Sequence, residues 1–183
     1  DCLLSRGLGD VYKRQIYGFS MILLYTMSSV YHGLKPETAK KVMQVIDHCS
    51  VFILIAGTYT PIALCSLRRA STALGWTVFG IVWGISALGI TLNAIDLKKY
   101  SVFSIICYLA LGWCIVFTGK TAVTSVGTTG FMWLLAGGIA YTVGAVLYGI
   151  AGRSVHRYMH SVFHIFVVAG SILQYFCILF YVL

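Results

Sequence analysis

The chain has 183 residues, of which 59% are hydrophobic and only 10% are charged, and its formal net charge is +8. Roughly a quarter of the residues in a soluble domain are charged, so this composition excludes such a domain and predicts an all-α integral membrane protein. The basic residues lie in short clusters between apolar runs, a pattern that argues against a nucleic-acid partner.

The first 15 residues differ from the rest of the chain, because they are polar and contain Gly and Arg. Residues 10–15 resemble translated sequencing-adapter sequence, and the alternative is a short native tail. The chain does not begin with Met, so we expect a fragment. We therefore predict a non-native or disordered tail at 1–15 and a transmembrane helical domain at 16–183.

Six apolar runs follow, separated by Gly, Pro and charged residues. A helix needs about 20 apolar residues to cross the hydrocarbon core. Residues 35–44 form a polar connector that suits a short interfacial helix, and residues 119–130 form a Gly, Thr and Ser connector. Pro61 is expected to kink the second span and to free a backbone carbonyl. The predicted spans are about 16–32, 45–67, 72–95, 100–118, 131–150 and 160–182.

Basic residues are distributed unequally between the two sides of the predicted membrane domain. The connections after spans one, three and five carry seven, whereas those after spans two and four carry three. The richer side is expected to be cytoplasmic, which places the C-terminus outside. The richer set is Lys35, Lys40, Lys41, Lys98, Lys99, Arg153 and Arg157, and the poorer set is Arg68, Arg69 and Lys120.

This topology places four ionisable residues at one depth in the cytoplasmic leaflet. His32 ends the first span, Asp47 starts the second, and His160 and His164 start the last. Residues four apart share a helix face, so His160 and His164 lie together, and Ser28 lies one turn from His32. Ionisable groups at membrane depth are costly, and they mark functional sites by default.

Three histidines at one depth predict a zinc site, because catalytic zinc commonly takes three protein ligands and a water. Asp47 would then hold the water or a histidine N–H, or act as a general base, and Ser28 would bond the water or a substrate oxygen. Each of these residues also has a simpler interpretation. Two histidines four apart are a weak motif, Asp47 suits the first turn of a helix, and Ser28 suits a bond to its own helix turn.

Three sequence blocks carry a family resemblance. They read SSVYH at 28–32, DHCSVF at 47–52 running into IAGTYTP at 55–61, and HSVFH at 160–164. Together they resemble haemolysin III proteins, the bacterial branch of the progestin and adipoQ receptor family. The resemblance implies a seven-helix transmembrane bundle in the bacterial inner membrane with its C-terminus outside, so the six spans found here lack the first.

The resemblance also implies Zn²⁺ near the cytoplasmic face on His32, His160 and His164, with Asp47 and Ser28 as further site residues. Related receptors and ceramidases imply hydrolysis of lipid amides or esters, with a membrane lipid as partner and substrate. The alternative is a non-enzymatic protein, haemolysin-like or receptor-like, with a structural zinc. The sequence gives little support for a channel, since it has neither a ring of charges nor an amphipathic span that would line a water-filled pore.

Overall fold

The computed structural model describes the backbone of residues 2–150 and 156–182, with side chains at residues 12, 15–147 and 162–182. Within these ranges the chain is helical except for short connections at 34–36, 71, 97–100 and 118, and it contains no strand. The predicted all-α membrane fold class is thereby confirmed. The helices are α1 (Cys2–Gly33), α2 (Glu37–Pro61), α3 (Arg68–Ala70), α4 (Thr72–Asp96), α5 (Ser101–Phe117), α6 (Gly119–Ile150) and α7 (His156–Cys177), with π-helical segments at Ile62–Leu67 and Ile178–Val182.

In the described part of the chain, four helical stretches are long and apolar enough to cross a membrane, and α5 is a shorter apolar helix. Large apolar side chains cover the outer faces of these helices, as a hydrocarbon environment requires. Exposed examples are Trp76, Ile95, Phe117, Ile165 and Phe180. The four stretches are Glu37–Ala70, Thr72–Asp96, Gly119–Leu147 and Val162–Val182.

Two segments expected to be connectors are continuous with neighbouring spans, and the first of them was already expected to suit a short interfacial helix. Residues 37–44 form the first turns of α2 and continue directly into the second span, because no helix-breaking residue follows Pro36 until Pro61. Residues 119–130 belong to α6, which is interrupted only at Gly127, where φ is 78°. Glycine adopts this left-handed conformation without steric cost, so the break falls there. Residues 2–15 are also helical, as the start of α1, and their predicted non-native origin stays a prediction.

Pro61 changes the helix geometry, as expected for a proline within a span. The α-helix ends at Pro61, and a π-helical segment begins at Ile62, whose N–H bonds to the carbonyl of Tyr59. Two turn carbonyls nearby accept from side chains, since the hydroxyls of Thr58 and Thr60 each donate four residues back. These side-chain bonds lie in the turns just before Pro61, whose missing N–H leaves the Gly57 carbonyl without its α-helical donor.

The chain divides into two compact units, the first ending at Leu111 and the second beginning at Gly112. In the first unit, α2 is the central helix and packs against both α1 and α4. Gly57 lies against the Ser20 side chain of α1, and Gly89 of α4 lies against the ring of Phe52. These glycines let neighbouring helices approach closely, so that Phe52 is fully buried.

The second unit is built on the packing of α6 against α7. Three glycines spaced seven residues apart on α6 each meet a side chain of the last helical stretch: Gly130 meets Tyr181, Gly137 meets Gln174 and Gly144 meets Phe166. Polar contacts reinforce this interface. Hydroxyl groups of Tyr141 and Ser171 lie 2.8 Å apart, and the Cys177 thiol donates to the Gly130 carbonyl across 3.1 Å.

Candidate metal and polar site

The packing of α1 against α2 sets the depth of three predicted site residues. The two helices are joined by three residues and run antiparallel, with Lys40 over the Tyr31 ring near the turn and Ser20 opposite Gly57 farther away. Each helix rises about 1.5 Å per residue, so this register places Asp47 level with the turn from Ser28 to His32, to within about 3 Å along the axis.

Ser28 is buried on the α1 face that meets α2, with 8% of its surface exposed. The simpler interpretation was a bond from its hydroxyl to its own helix turn. Two other serines of α1 make such bonds, Ser20 to the Tyr17 carbonyl and Ser29 to the Tyr25 carbonyl. Ser28 makes none with the described residues, so its hydroxyl is available to a ligand.

His32 lies in the last turn of α1, with its ring 4.7 Å from that of Tyr31 between centroids. The side chain is exposed. One turn nearer the core, Ser28 is buried, so α1 presents an exposed imidazole and a buried hydroxyl at successive turns. This arrangement suits a site that opens at the membrane surface.

Asp47 is only 8% exposed. The acid in the first turn of α2 is Glu37, and Asp47 follows ten residues later, so the interpretation of Asp47 as a first-turn acid is wrong. Within the described ranges its carboxylate takes part in no ion pair or hydrogen bond, while its backbone carbonyl accepts from Ser50 Oγ across 2.6 Å. A buried carboxylate without a partner costs several kcal/mol, about as much as a well-made ion pair regains.

Three polar residues at the same depth were missed by the sequence analysis: Asn93, Ser104 and Tyr108. Phe52 opposes Gly89 and Thr60 opposes Trp83, and this antiparallel register of α2 and α4 places Asn93 level with His48. Ser104 and Tyr108 reach the same level from α5, through bonds to the Asn93 side chain and to the His48 carbonyl. A single Asn at the end of an apolar run was the available signal.

His48 lies beside Asp47 in sequence, and its imidazole ring takes no part in this group although its backbone carbonyl accepts from Tyr108. Its Nδ1 donates to the Gln44 carbonyl of its own helix across 2.8 Å. The ring is therefore engaged one turn back along α2, on a different side of the helix from the Asp47 carboxylate. This placement agrees with the sequence analysis, which left His48 out of the candidate ligands.

The two remaining candidate ligands belong to α7, in the second unit. His164 is half-buried, with its ring 5.6 Å from that of Phe163. The backbone of His160 is helical, which confirms the four-residue spacing on one helix, but its side chain lies outside the described residues. The described side chains contain no group of three or more His, Cys, Asp and Glu placed to hold a metal, so the combination of His32, His160 and His164 stays a prediction.

The residues of the first unit nevertheless fit a cation at this depth. Asp47 is a buried carboxylate to which the described part of the chain offers no counter-charge, and Ser28 is a buried hydroxyl with spare hydrogen-bonding capacity. Imidazole is a preferred zinc ligand, and a carboxylate is the usual partner of a zinc-bound histidine or water. The donor set is thus chemically suited to zinc.

The fold and these residues define a multi-pass helical membrane protein with a buried polar layer at one level of its first unit. The family model described as Haemolysin-III related matches residues 7–175, and the chain therefore belongs to the haemolysin III family. The match begins inside the segment 1–15 and covers all three sequence blocks. The predicted family is confirmed.

Two relatives from bacteria align with most of the chain. Hemolysin-3 of Bacillus cereus is 38% identical over 168 residues, which are 92% of this chain and 74% of that protein. The Hemolysin-3 homolog of Bacillus subtilis (strain 168) is 36% identical over 172 residues, which are 94% of this chain and 78% of that protein.

Proposed function

We propose that this chain is a zinc-dependent hydrolase of lipid amides or esters in the bacterial inner membrane. One observation carries the proposal: Asp47 is a buried carboxylate in the middle of α2, level with Ser28 and His32, and no described residue neutralises it. Burying an ionisable group at membrane depth costs free energy, and helix packing alone does not require such a group. A role in acid–base chemistry would explain why this carboxylate is buried there.

In this proposal His32, His160 and His164 would hold the zinc ion. When bound, zinc polarises a substrate carbonyl and makes a hydroxide nucleophile available near neutral pH. Asp47 takes the proton of the attacking water and passes it to the leaving amine or alcohol as the tetrahedral intermediate collapses. The Ser28 hydroxyl donates a hydrogen bond to a substrate oxygen and so orients the scissile bond.

A lipid substrate is supported by where these residues lie. His32 is exposed at the end of α1, and the neighbouring outer surfaces of the helices are apolar. A lipid whose amide or ester group lies at the base of the headgroup would reach this depth without leaving the bilayer. The acyl chain would then lie along the apolar helix surfaces.

The decisive experiment compares matched carboxylate substitutions in the purified protein. Asp47→Asn preserves the shape of the side chain but removes its proton-accepting ability, so turnover of an N-acyl lipid panel should fall by a factor of roughly 100 to 10,000. Zinc content should stay at the wild-type value. Asp96→Asn is the control, because Asp96 is an exposed residue at the end of α4 whose carboxylate accepts from the Lys99 backbone N–H.

A second candidate follows from the names of the relatives, both of which are called Hemolysin-3. In this case the chain is a membrane-lytic protein and its zinc is structural. The same variants separate the two functions. Equal lysis of erythrocytes by wild type and Asp47→Asn, with no lipid turnover by either, would refute the hydrolase and support the lytic protein.

A further inference from the structure

A polar cluster on α4 and α5 lies beside Asp47 and has no role in the chemistry above. The Ser104 hydroxyl donates to Oδ1 of Asn93 across 2.6 Å, and the Tyr108 hydroxyl donates to the His48 carbonyl across 2.8 Å. Asn93 is fully buried, and Ser104 is 2% exposed. Buried polar networks restrict the arrangement of the helices that contribute to them, so this one constrains α2, α4 and α5 at a single level.

The bond from Tyr108 falls on the residue next to Asp47. The His48 carbonyl has two lone pairs, so it can accept from Tyr108 in addition to its own helix. The Tyr108 ring also packs on Phe52, with ring centroids 4.5 Å apart, and Phe52 lies against Gly89 of α4. Rotation or sliding of α2 would break both contacts, so together they hold the turn that carries Asp47.

Asn93 also retains a spare donor at this level. Its amide nitrogen is buried and has no hydrogen-bond partner among the described residues. The bond from Ser104 engages Oδ1 of the same amide and so sets its orientation. In the described part of the chain, the Asn93 amide nitrogen and the Asp47 carboxylate therefore both lack a hydrogen-bond partner at this level.

We propose that Asn93, Ser104 and Tyr108 are positioning residues for Asp47. Tyr108 holds the α2 backbone next to Asp47 through the His48 carbonyl, while the bond between Ser104 and Asn93 holds α5 and α4 at that level. The functional consequence rests on the proposed hydrolase activity, because it requires Asp47 to handle a proton. The restraint on the carboxylate itself does not depend on turnover.

The test uses the full chain in lipid nanodiscs with Zn²⁺, labelled with carboxyl-¹³C aspartate. The chain contains only four aspartates, so the infrared band of Asp47 is identified as the one that Asp47→Asn removes. Tyr108→Phe and Asn93→Leu should each shift this band, since each removes a polar group and keeps a side chain of similar shape. In the same variants we expect kcat toward a fluorogenic N-acyl lipid to fall roughly tenfold, with KM and zinc content unchanged.

Two control variants change side chains outside this cluster. Ser86 is buried on α4, two turns from Asn93, and its hydroxyl has no partner among the described residues. Tyr175 is 42% exposed on α7. Ser86→Ala and Tyr175→Phe should leave the Asp47 band and kcat at their wild-type values.

An Asp47 band that does not move in Tyr108→Phe overturns the positioning role, and this conservative variant decides the question if Asn93→Leu fails to fold. Equal band shifts in the test and control variants would also overturn it. If the wild type hydrolyses no lipid, the hydrolase is refuted, while a shift confined to Tyr108→Phe and Asn93→Leu still supports the restraint.

Discussion

At the scale of single residues, the histidines of this chain differ in where their rings lie. The His48 ring donates to the carbonyl of Gln44, the His32 ring is exposed in the last turn of α1, and the His164 ring is half-buried on α7. In the proposed zinc site, His32 and His164 would be two of the three ligands, and His160, four residues from His164, would be the third. The proposed zinc site therefore assigns different effects to substitutions at neighbouring positions.

We expect His164→Ala and His32→Ala to lower zinc content from about one ion per chain to a small fraction of that value, because zinc affinity falls steeply when one of three ligands is removed. His48→Ala should leave zinc content unchanged. Elemental analysis of protein purified without chelator measures all three. Equal losses in His48→Ala and His164→Ala would contradict the ligand assignment, and absence of zinc from the wild type would refute the site.

At the scale of helices, close packing depends on particular glycines. Gly75 lies at the start of α4, and a Cβ added there would lie 2.7 Å from the Ala63 carbonyl oxygen and 2.8 Å from the Arg68 Cα. These are backbone atoms and cannot move aside as a flexible side chain would. Gly80, on the same helix, has no neighbour within 4 Å among the described residues. The two glycines therefore have different structural roles.

Gly75→Ala should destabilise the protein by about 2 kcal/mol or more, because it forces α4 away from the π-helical segment before it. Gly80→Ala should be neutral or stabilise α4 by up to about 1 kcal/mol, as expected for an open helical position. Thermal unfolding of the two variants in the same detergent measures the difference. A lower melting temperature for Gly80→Ala than for Gly75→Ala would contradict this packing.

At the scale of the whole molecule, the proposed orientation in the membrane rests on the uneven distribution of basic residues. Lys98 lies after α4, on the side that the positive-inside rule makes cytoplasmic, and Lys120 lies at the start of α6, on the opposite side. Both side chains are exposed, so single cysteines at these positions can report their side of the membrane.

In a variant without native cysteines, Lys120→Cys should react with a membrane-impermeant maleimide added to intact spheroplasts, and Lys98→Cys should react only after permeabilisation. The physical reason is the cost of moving clustered positive charge across the inner membrane during insertion. Labelling of Lys98→Cys in intact spheroplasts would reverse the proposed orientation and place the C-terminus inside.

Local patterns in the sequence determined the membrane class, the helices and the spacing of the candidate ligands. Hydropathy over about 20 residues is enough to predict a span, and a four-residue spacing is enough to place His160 and His164 on one helix face. The blocks around His32 and Asp47 also predicted the family. These properties depend on neighbours in the chain, so no tertiary information was needed.

Only the tertiary structure decided which residues meet between helices. In the sequence, Asn93 is a single polar residue within an apolar run, and nothing local indicates its partners. The packing of α2, α4 and α5 brings it level with Asp47. The GxxxG spacing of Gly80 and Gly84 is only a weak signal of close packing, and Gly75 and Gly89 are the glycines of α4 that meet neighbouring helical segments. Helix register and rotation arise from contacts far apart in sequence, and side-chain shape at those contacts selects one arrangement among many of similar hydropathy.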